Sequence, residues 1–266
     1  MRKEEESGPQ KKIRLISKVY VSPPFIIGLH ASVAPLVTRI IDDRAYGGVD
    51  ARENIAKDLY KAVNKKDAYI LDLGCGVGMS TRALASAFND AAFICGVDTS
   101  PEMVDMARYI NKNQSSLNAI QDLFGDKSEF AAAFTRLILE VRRTASNTAI
   151  VPNCLYAIGN AERILAPKDK FDLVTLFYAF HEIPFSARNR IMREARRLLK
   201  PGGKMAIVDI CPREYVPVES MLAGEPYVLE YQKNIEKQIS RLQGFKDLQV
   251  TNCVPGHVRM WLLTRK

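Results

Sequence analysis

The chain has 266 residues, of which 47% are hydrophobic and 26% charged. These values are ordinary for a globular protein, and the length suits one large domain with additions. A formal charge of +8 raises the question of a nucleic-acid partner. Because the basic residues of 185–204 fall mostly on one predicted helix, where a charged face is usually solvated, no nucleic-acid partner is expected.

The five cysteines are widely scattered, with no Cys-x-x-Cys pair and no Cys/His cluster. This spacing predicts buried free thiols and no metal site, and it favours the cytoplasm or another reducing soluble compartment. Residues 1–12 lack the apolar core of a secretory signal. Residues 19–38 are free of charge over the length of a membrane span, but their prolines, Gly28 and His30 argue against a transmembrane segment.

The pattern of charged and apolar residues predicts that the chain is divided into two regions. Residues 1–48 form a tail and a partly apolar helical cap, and residues 49–266 form the main domain, which begins with a helix from Asp50 to Asn64. Within it, apolar residues at helical spacing predict a helical insertion over about 111–150.

A glycine-rich turn follows the first predicted strand. Residues 68–73 form an apolar run with one acid near its end, which is typical of a buried parallel strand. Gly74, Gly76 and Gly78 follow, so the main chain can turn sharply, approach a ligand and offer N–H groups at a helix start. A dinucleotide pattern would place its third glycine at 79, where Met79 stands. The segment therefore predicts a nucleoside-binding turn of another kind.

A second strand, Phe93–Asp98, ends in an acid that lies 20 positions after Gly78. An acid at that distance lies at the tip of the neighbouring strand, within reach of both ribose hydroxyls. Ser100 and Pro101 have the character of an N-cap and a first helical residue, so a helix is expected to begin there.

The pattern Asp-x-Gly-x-Gly-x-Gly at 72–78 and the pattern Val-Asp-x-Ser-Pro-x-Met at 97–103 resemble the first two motifs of the class I S-adenosylmethionine-dependent methyltransferases. The resemblance implies S-adenosylmethionine as the cofactor and S-adenosylhomocysteine as its product. It places the following residues at the cofactor: Asp72, Gly74, Cys75, Gly76, Gly78, Asp98, Thr99 and Met103.

Later segments extend the resemblance. After a strand near 155–158, Asn160-Ala161 stands where the family usually has Asp-Ala, and the amide oxygen can also accept a bond from the adenine amino group. A fourth strand, Phe171–Phe177, ends with a further cofactor residue, Phe177. Leu-Leu-Lys-Pro-Gly-Gly at 198–203 resembles the type-11 methyltransferases, a group that includes ubiquinone and menaquinone biosynthesis enzymes.

The expected fold is α/β: a doubly wound, Rossmann-like sheet of seven strands, mostly parallel, with an antiparallel C-terminal strand. A helix is predicted from Ala187 to Leu199, with Pro201 to Gly203 ending it, and a fifth strand from Lys204 to Ile210. A second helix is predicted from about Glu225 to Gln243. A final hairpin turns at Pro255-Gly256.

The loop after the fourth strand lies where ligands bind in doubly wound sheets. His181 is the candidate general base for a protic acceptor, because the ordinary pKa of histidine suits that task. Its alternative role is to anchor the loop through a hydrogen bond. Glu182 is a candidate orienting partner of His181, and Tyr46, Tyr178 and Tyr227, with Glu182, are the candidate substrate-binding residues.

A small-molecule acceptor is the expected substrate. A nucleic-acid methyltransferase would be expected to carry Asn/Asp-Pro-Pro-Tyr/Phe after the fourth strand, and Phe-Tyr-Ala-Phe stands at 177–180 instead. An RNA or protein methyltransferase stays open as an alternative. So does a non-catalytic subunit with the methyltransferase fold, although such chains usually lose the glycines or the ribose acid.

Overall fold

The structure is a computed structural model that describes residues 51–112 and 154–266. The predicted cap over 1–48, with Tyr46, and nearly all of the predicted insertion over 111–150 lie outside the described residues. Among the described residues, no helix combines the length and the apolar character needed to cross a bilayer.

Seven strands and six α-helices follow one another in the described part of the chain. In order they are α1 (Ala51–Val63), β1 (Tyr69–Leu73), α2 (Met79–Ala87), β2 (Phe93–Asp98), α3 (Pro101–Lys112), β3 (Cys154–Ile158), β4 (Phe171–Phe177), α4 (Phe185–Leu198), β5 (Leu199–Ile210), α5 (Glu219–Gly224), α6 (Val228–Ser240), β6 (Phe245–Val254) and β7 (Val258–Arg265). A 3-10 turn, Phe180–Glu182, lies between β4 and α4.

The strands form one sheet in the order β3-β2-β1-β4-β5-β7-β6. Strands β1 to β5 pair in parallel, whereas β7 is antiparallel to both β5 and β6. This confirms the doubly wound sheet with an antiparallel last strand. Because the order reverses between β1 and β4, the carboxyl ends of these strands border the crevice in which such sheets bind ligands.

Alternation along the strands divides the core between the two faces of the sheet. Ile70 of β1 packs into a cluster with Leu59 of α1 and Leu84 of α2. Leu71, one position on, faces a second cluster that contains Ile191 of α4, together with residues of α6. Successive side chains of a strand point to opposite faces, so helices cover both sides of the sheet.

Two predicted boundaries were wrong. Strand β5 begins at Leu199, not at Lys204, because it continues through Pro201-Gly202-Gly203; Leu199 pairs with Phe171, and the register then shifts at an irregularity. The predicted helix over 225–243 begins only at Val228, and a short helix, Glu219–Gly224, precedes it. The segment between these two helices is a loop, which frees Glu225 to reach the site described below.

Candidate functional site

The glycine turn joins β1 to α2 at the crevice. Gly74, Gly76 and Gly78 all have positive φ, at 69°, 52° and 79°. At Gly78 a Cβ atom would lie 2.5 Å from the ring of Tyr156, so only glycine fits there. At Gly76 a Cβ atom would meet nothing within 4 Å, so open space adjoins the backbone of the turn at this position.

Asp72 lies behind this turn and is fully buried. Its carboxylate accepts hydrogen bonds from the hydroxyls of Ser80, Thr81 and Thr175, at 2.8, 2.6 and 2.7 Å. Burial raises the pKa of Asp72, while these three bonds oppose the shift. In this position Asp72 of β1 ties α2, which follows the turn, to β4.

Cys75, also named as a cofactor residue, points into the core. Its side chain is buried, and burial raises the pKa of its thiol far above the ordinary value. Its backbone N–H donates to the carbonyl of Val97, at 3.1 Å. Cys75 therefore helps fasten the turn to β2.

Asp98 ends β2 directly beside the turn. One carboxylate oxygen accepts a hydrogen bond from the backbone N–H of Gly76 and the other from that of Ser100, both at 2.9 Å. Burial raises the pKa of Asp98, against the effect of these bonds.

Thr99, next in the chain, is exposed. Met103 is half-buried in the first turn of α3, where its N–H donates to the hydroxyl of Ser100, at 3.2 Å, as expected of an N-cap.

The end of β3 adjoins Asp98. Gly159 donates its N–H to the carbonyl of Asp98, at 2.8 Å. The side-chain oxygen of Asn160 accepts the N–H of Glu162, at 2.9 Å, and Ala161 is half-buried. The structure thus brings the expected cofactor residues of β1, β2 and β3 to one edge of the sheet.

The end of β4 touches the glycine turn from the other side. A Cβ atom at Gly74 would lie 3.2 Å from that of Ala179. Phe177 is buried in β4, whereas Tyr178 is half-buried with a positive φ of 52°. The guanidinium carbon of Arg52 lies 4.4 Å from the centroid of the Tyr178 ring, so α1 also contributes to this edge.

His181 is buried and held by Asp209. Its Nδ1 atom lies 2.5 Å from Oδ1 of Asp209, a residue of β5 with no exposed surface. The second oxygen of Asp209 accepts the backbone N–H groups of Phe180 and His181, at 2.8 and 3.2 Å. Asp209 therefore orients His181 through Nδ1, whereas Glu182, the candidate orienting partner named from the sequence, lies on the Nε2 side of the ring.

The other ring nitrogen of His181 faces two glutamates. Nε2 lies 3.3 Å from Oε2 of Glu225 and 3.8 Å from Oε1 of Glu182. The Glu225 side chain is 28% exposed and that of Glu182 is 51% exposed, so the group opens to solvent on the Glu182 side. Tyr227, two residues after Glu225, is half-buried at the start of α6.

This charge arrangement bears on the hypothesis of a general base. Burial by itself would lower the pKa of His181, but Asp209 and the two glutamates outweigh it and raise the pKa to about 9. Partial burial raises the pKa of Glu182 to about 7; Glu225 and Asp209 add to this shift, and His181 opposes it. A pKa raised in this way favours a protonated imidazole at neutral pH, so the general-base role of His181 stays a prediction.

Two residues of the site were not predicted as such. Asp209 is an acid inside an otherwise apolar strand, the same signal that Asp72 gives in β1, and it could have been read in that way. Glu225 was not named as a site residue; its predicted place was the first residue of a helix.

Fold and site together define a class: a doubly wound α/β protein with a glycine turn and a strand-end acid beside it at the switch point of the sheet. A sequence profile described as a methyltransferase domain matches residues 49–249. Since this is more than half of the chain, the protein belongs to the family of methyltransferase domains. S-adenosylmethionine is the cofactor that this family implies.

Curated relatives agree with this family. The chain is 28% identical over 116 residues to the ubiquinone/menaquinone biosynthesis C-methyltransferase UbiE of Pectobacterium carotovorum, covering 38% of this chain and 44% of that protein. It is 25% identical over 198 residues to a 2-phytyl-1,4-naphtoquinone methyltransferase of Synechococcus elongatus, covering 74% of this chain and 68% of that protein. The first of these matches spans less than half of the relative's length.

Solved structures show the same fold. A SAM dependent methyltransferase from Aquifex aeolicus matches 79% of this chain and 89% of its own, with a TM-score of 0.50 and 17% identity. A SAM-dependent methyltransferase from Methanosarcina mazei matches 78% of this chain and 96% of its own, with a TM-score of 0.50 and 16% identity. At such identities the likeness concerns the fold alone.

Proposed function

We propose that this protein transfers the methyl group of S-adenosylmethionine to a small-molecule acceptor. The observation that carries the proposal is the hydrogen bond from Gly76 to Asp98, at 2.9 Å. It joins the glycine turn and the strand-end acid at the edge where doubly wound sheets bind nucleosides. The polar group around His181 begins two residues after Ala179, which packs on the same turn.

The residues fit this cofactor. Each oxygen of Asp98 accepts one backbone bond, and a carboxylate oxygen has a second lone pair that can accept a ribose hydroxyl. The open space beside Gly76 lets the cofactor approach the backbone without meeting a side chain. We propose that Thr99, Met103, Asn160 and Ala161 border the adenine, as the family resemblance implies.

When bound, S-adenosylmethionine supplies a methyl group that a neutral thioether readily releases, so the protein's task is mainly alignment. Holding a nucleophile in line near the methyl carbon accounts for several kcal/mol of rate enhancement. We propose that His181 and Glu182 contact the polar group of the acceptor, while Tyr178 and Tyr227 border it. Asp209 would then act through His181 as a positioning residue.

The relatives favour a small acceptor. One is named as a C-methyltransferase of ubiquinone/menaquinone biosynthesis, and another as a methyltransferase of a phytyl-naphthoquinone. We also propose, as the sequence predicts, that residues 49–266 are the catalytic domain and that residues 1–48 cover its opening.

Two titrations and one transfer assay test the proposal. Calorimetry on the full chain should show S-adenosylhomocysteine binding in about the micromolar range, and no comparable binding of NADH. Transfer from S-adenosylmethionine with a labelled methyl group is then measured on a library of phenols, quinols and other small metabolites. Label in a small organic product supports the proposal; binding of NADH without any response to S-adenosylhomocysteine would overturn it.

The same assay separates the alternatives. Label that appears only in added RNA or protein would point to a macromolecular substrate. Tight binding of S-adenosylhomocysteine without transfer to any acceptor class would point to a non-catalytic subunit.

A further inference from the structure

Three metal-ligating atoms converge beside the crevice. One is Nε2 of His181, and the others are carboxylate oxygens of Glu182 and Glu225; all three lie within 4.8 Å of one another. Nε2 lies 3.3 Å from Oε2 of Glu225 and 3.8 Å from Oε1 of Glu182. In a tetrahedral site with bonds of 2.0–2.1 Å, neighbouring ligand atoms are about 3.4 Å apart. The spacing therefore needs only small adjustments to surround a cation.

The imidazole is fixed in the manner of a metal-binding histidine. Such histidines usually give their second ring N–H to a carboxylate, which sets the direction of the ligating nitrogen. Here Nδ1 lies 2.5 Å from Oδ1 of Asp209, and this carboxylate is anchored in turn by the backbone N–H groups of Phe180, His181 and Ile210. Nε2 is thereby directed at the two glutamates.

An independent observation comes from Glu225. Its Oε2 atom is buried and accepts no hydrogen bond from the described residues, although it faces Nε2 at 3.3 Å. Nε2 of His181 is therefore the one polar partner that this oxygen faces among the described residues, and a cation between the two atoms would take the place of the imidazole proton. Three carboxylates also surround a single imidazole, which leaves excess negative charge whether or not the ring carries a proton.

The different exposures of the candidate ligands suit a metal site that is open to solvent on one side. The His181 side chain is 7% exposed, whereas that of Glu182 is 51% exposed. A cation bound at the Nε2 atom would thus be held by a buried ligand on one side and be reachable from solvent on the other. Catalytic metal sites have this form, with three protein ligands and one open position.

We propose that His181, Glu182 and Glu225 bind a divalent transition-metal cation of the zinc or manganese type, with Asp209 orienting His181. A set of one imidazole and two carboxylates suits these cations better than Mg²⁺, which prefers oxygen ligands in octahedral geometry. The sequence predicted no metal site, because it has no Cys/His cluster. If the cation also holds an oxygen of the methyl acceptor, that role rests on the proposed function. The binding of the cation to the three residues does not rest on it.

The test uses the full chain, freed of metal by a chelator. Calorimetry with Zn²⁺ should show one site of micromolar affinity or better, with much weaker binding of Mg²⁺. Co²⁺ should produce the visible absorption bands of a four- or five-coordinate site. His181→Gln, Glu225→Gln and Glu182→Gln should each lower Zn²⁺ affinity at least tenfold. Asp209→Asn should lower it about 10–100-fold, as is usual for outer partners of a ligand.

His257→Gln is the matched control, because it removes a histidine of the final hairpin and should leave the site intact. Glu182→Gln is the deciding variant, since its half-exposed side chain contributes little to the core and the fold should be unaffected. Wild-type protein without a stoichiometric Zn²⁺ site would overturn the proposal. Zn²⁺ affinities equal to that of wild type in the folded Glu182→Gln and Glu225→Gln variants would also overturn the proposal.

S-adenosylhomocysteine is titrated into the same metal-free protein. If it binds and Zn²⁺ does not, the metal proposal fails alone. If Zn²⁺ binds at this site and S-adenosylhomocysteine does not, the proposed function fails and the metal site stands.

Discussion

His181 and Asp209 form the most buried pair of charged partners at the crevice, with Nδ1 and Oδ1 2.5 Å apart. Asp209 has no exposed surface and His181 has 6%. Because Asp209 also accepts the N–H groups of Phe180 and His181, one carboxylate fixes both the ring and the backbone of the 3-10 turn. This side of the site therefore depends on a single residue of β5.

Asp209→Ala is expected to lower the free energy of unfolding by roughly 3–5 kcal/mol, since it leaves a buried imidazole and three backbone donors without their acceptor. Urea unfolding measures the loss. The control is Asp105→Asn on α3, where the aspartate side chain is 70% exposed and a change within about 0.5 kcal/mol is expected. Equal effects of the two substitutions would contradict the anchoring role of Asp209.

A second buried carboxylate gives a pH-dependent prediction. Asp172 in β4 accepts hydrogen bonds from Lys65 and Lys200, at 2.6 and 2.8 Å, and from the N–H of Tyr69, at 2.9 Å. Burial opposes ionisation, but the hydrogen bonds from Lys200 and Lys65 outweigh it and hold the pKa of Asp172 below its usual value. The stabilisation is therefore fully present above the unfolded-state pKa and is lost as the pH falls through the lower folded-state pKa.

Asp172→Asn is accordingly expected to cost about 1–2 kcal/mol of unfolding free energy at neutral pH. The difference from wild type should shrink as the pH falls below about 4, where the unfolded aspartate becomes protonated. Urea unfolding of both proteins at pH 7 and in the acid range measures it. A difference that stays constant with pH would mean that the charge of Asp172 is not what stabilises the fold.

Two glycines with the same φ allow the stability cost of backbone strain to be measured apart from the cost of a steric clash. Gly78 and Gly202 both have a φ of 79°, but a Cβ atom would strike the Tyr156 ring at Gly78 and meet nothing at Gly202. Gly202→Ala should cost about 1–2 kcal/mol through backbone strain. Gly78→Ala should cost about 1–3 kcal/mol more, because the ring must move. Thermal or urea unfolding compares them, and equal losses would remove Tyr156 from the explanation.

The sequence predicted those parts of the site that are coded locally. Asp98 ends a short apolar strand, and its distance from Gly78 indicated its place. Asp72 stands one position before the end of β1, and the family resemblance indicated its place at the cofactor. The environment of His181 could not be read in this way. Its partner Asp209 is 28 positions away and meets it only because β5 lies beside β4. Glu225 lies in a loop before α6, where the sequence predicted the first residue of a helix.

Asp98 is the residue through which the cofactor hypothesis is tested most directly. It lies at the open end of β2, and its carboxylate already bridges the N–H groups of Gly76 and Ser100. Its remaining lone pairs are available to accept the two ribose hydroxyls as charge-assisted hydrogen bonds.

Asp98→Asn is expected to weaken S-adenosylhomocysteine binding by about 1.5–3 kcal/mol, or roughly 10–150-fold in Kd. The amide keeps the size of the side chain, but it removes the charge and turns one acceptor into a donor. Calorimetry measures the affinity, with Asp105→Asn as the control that removes an exposed aspartate of the neighbouring helix. Circular dichroism establishes that both variants are folded. If folded Asp98→Asn binds as tightly as wild type, Asp98 does not contact the cofactor.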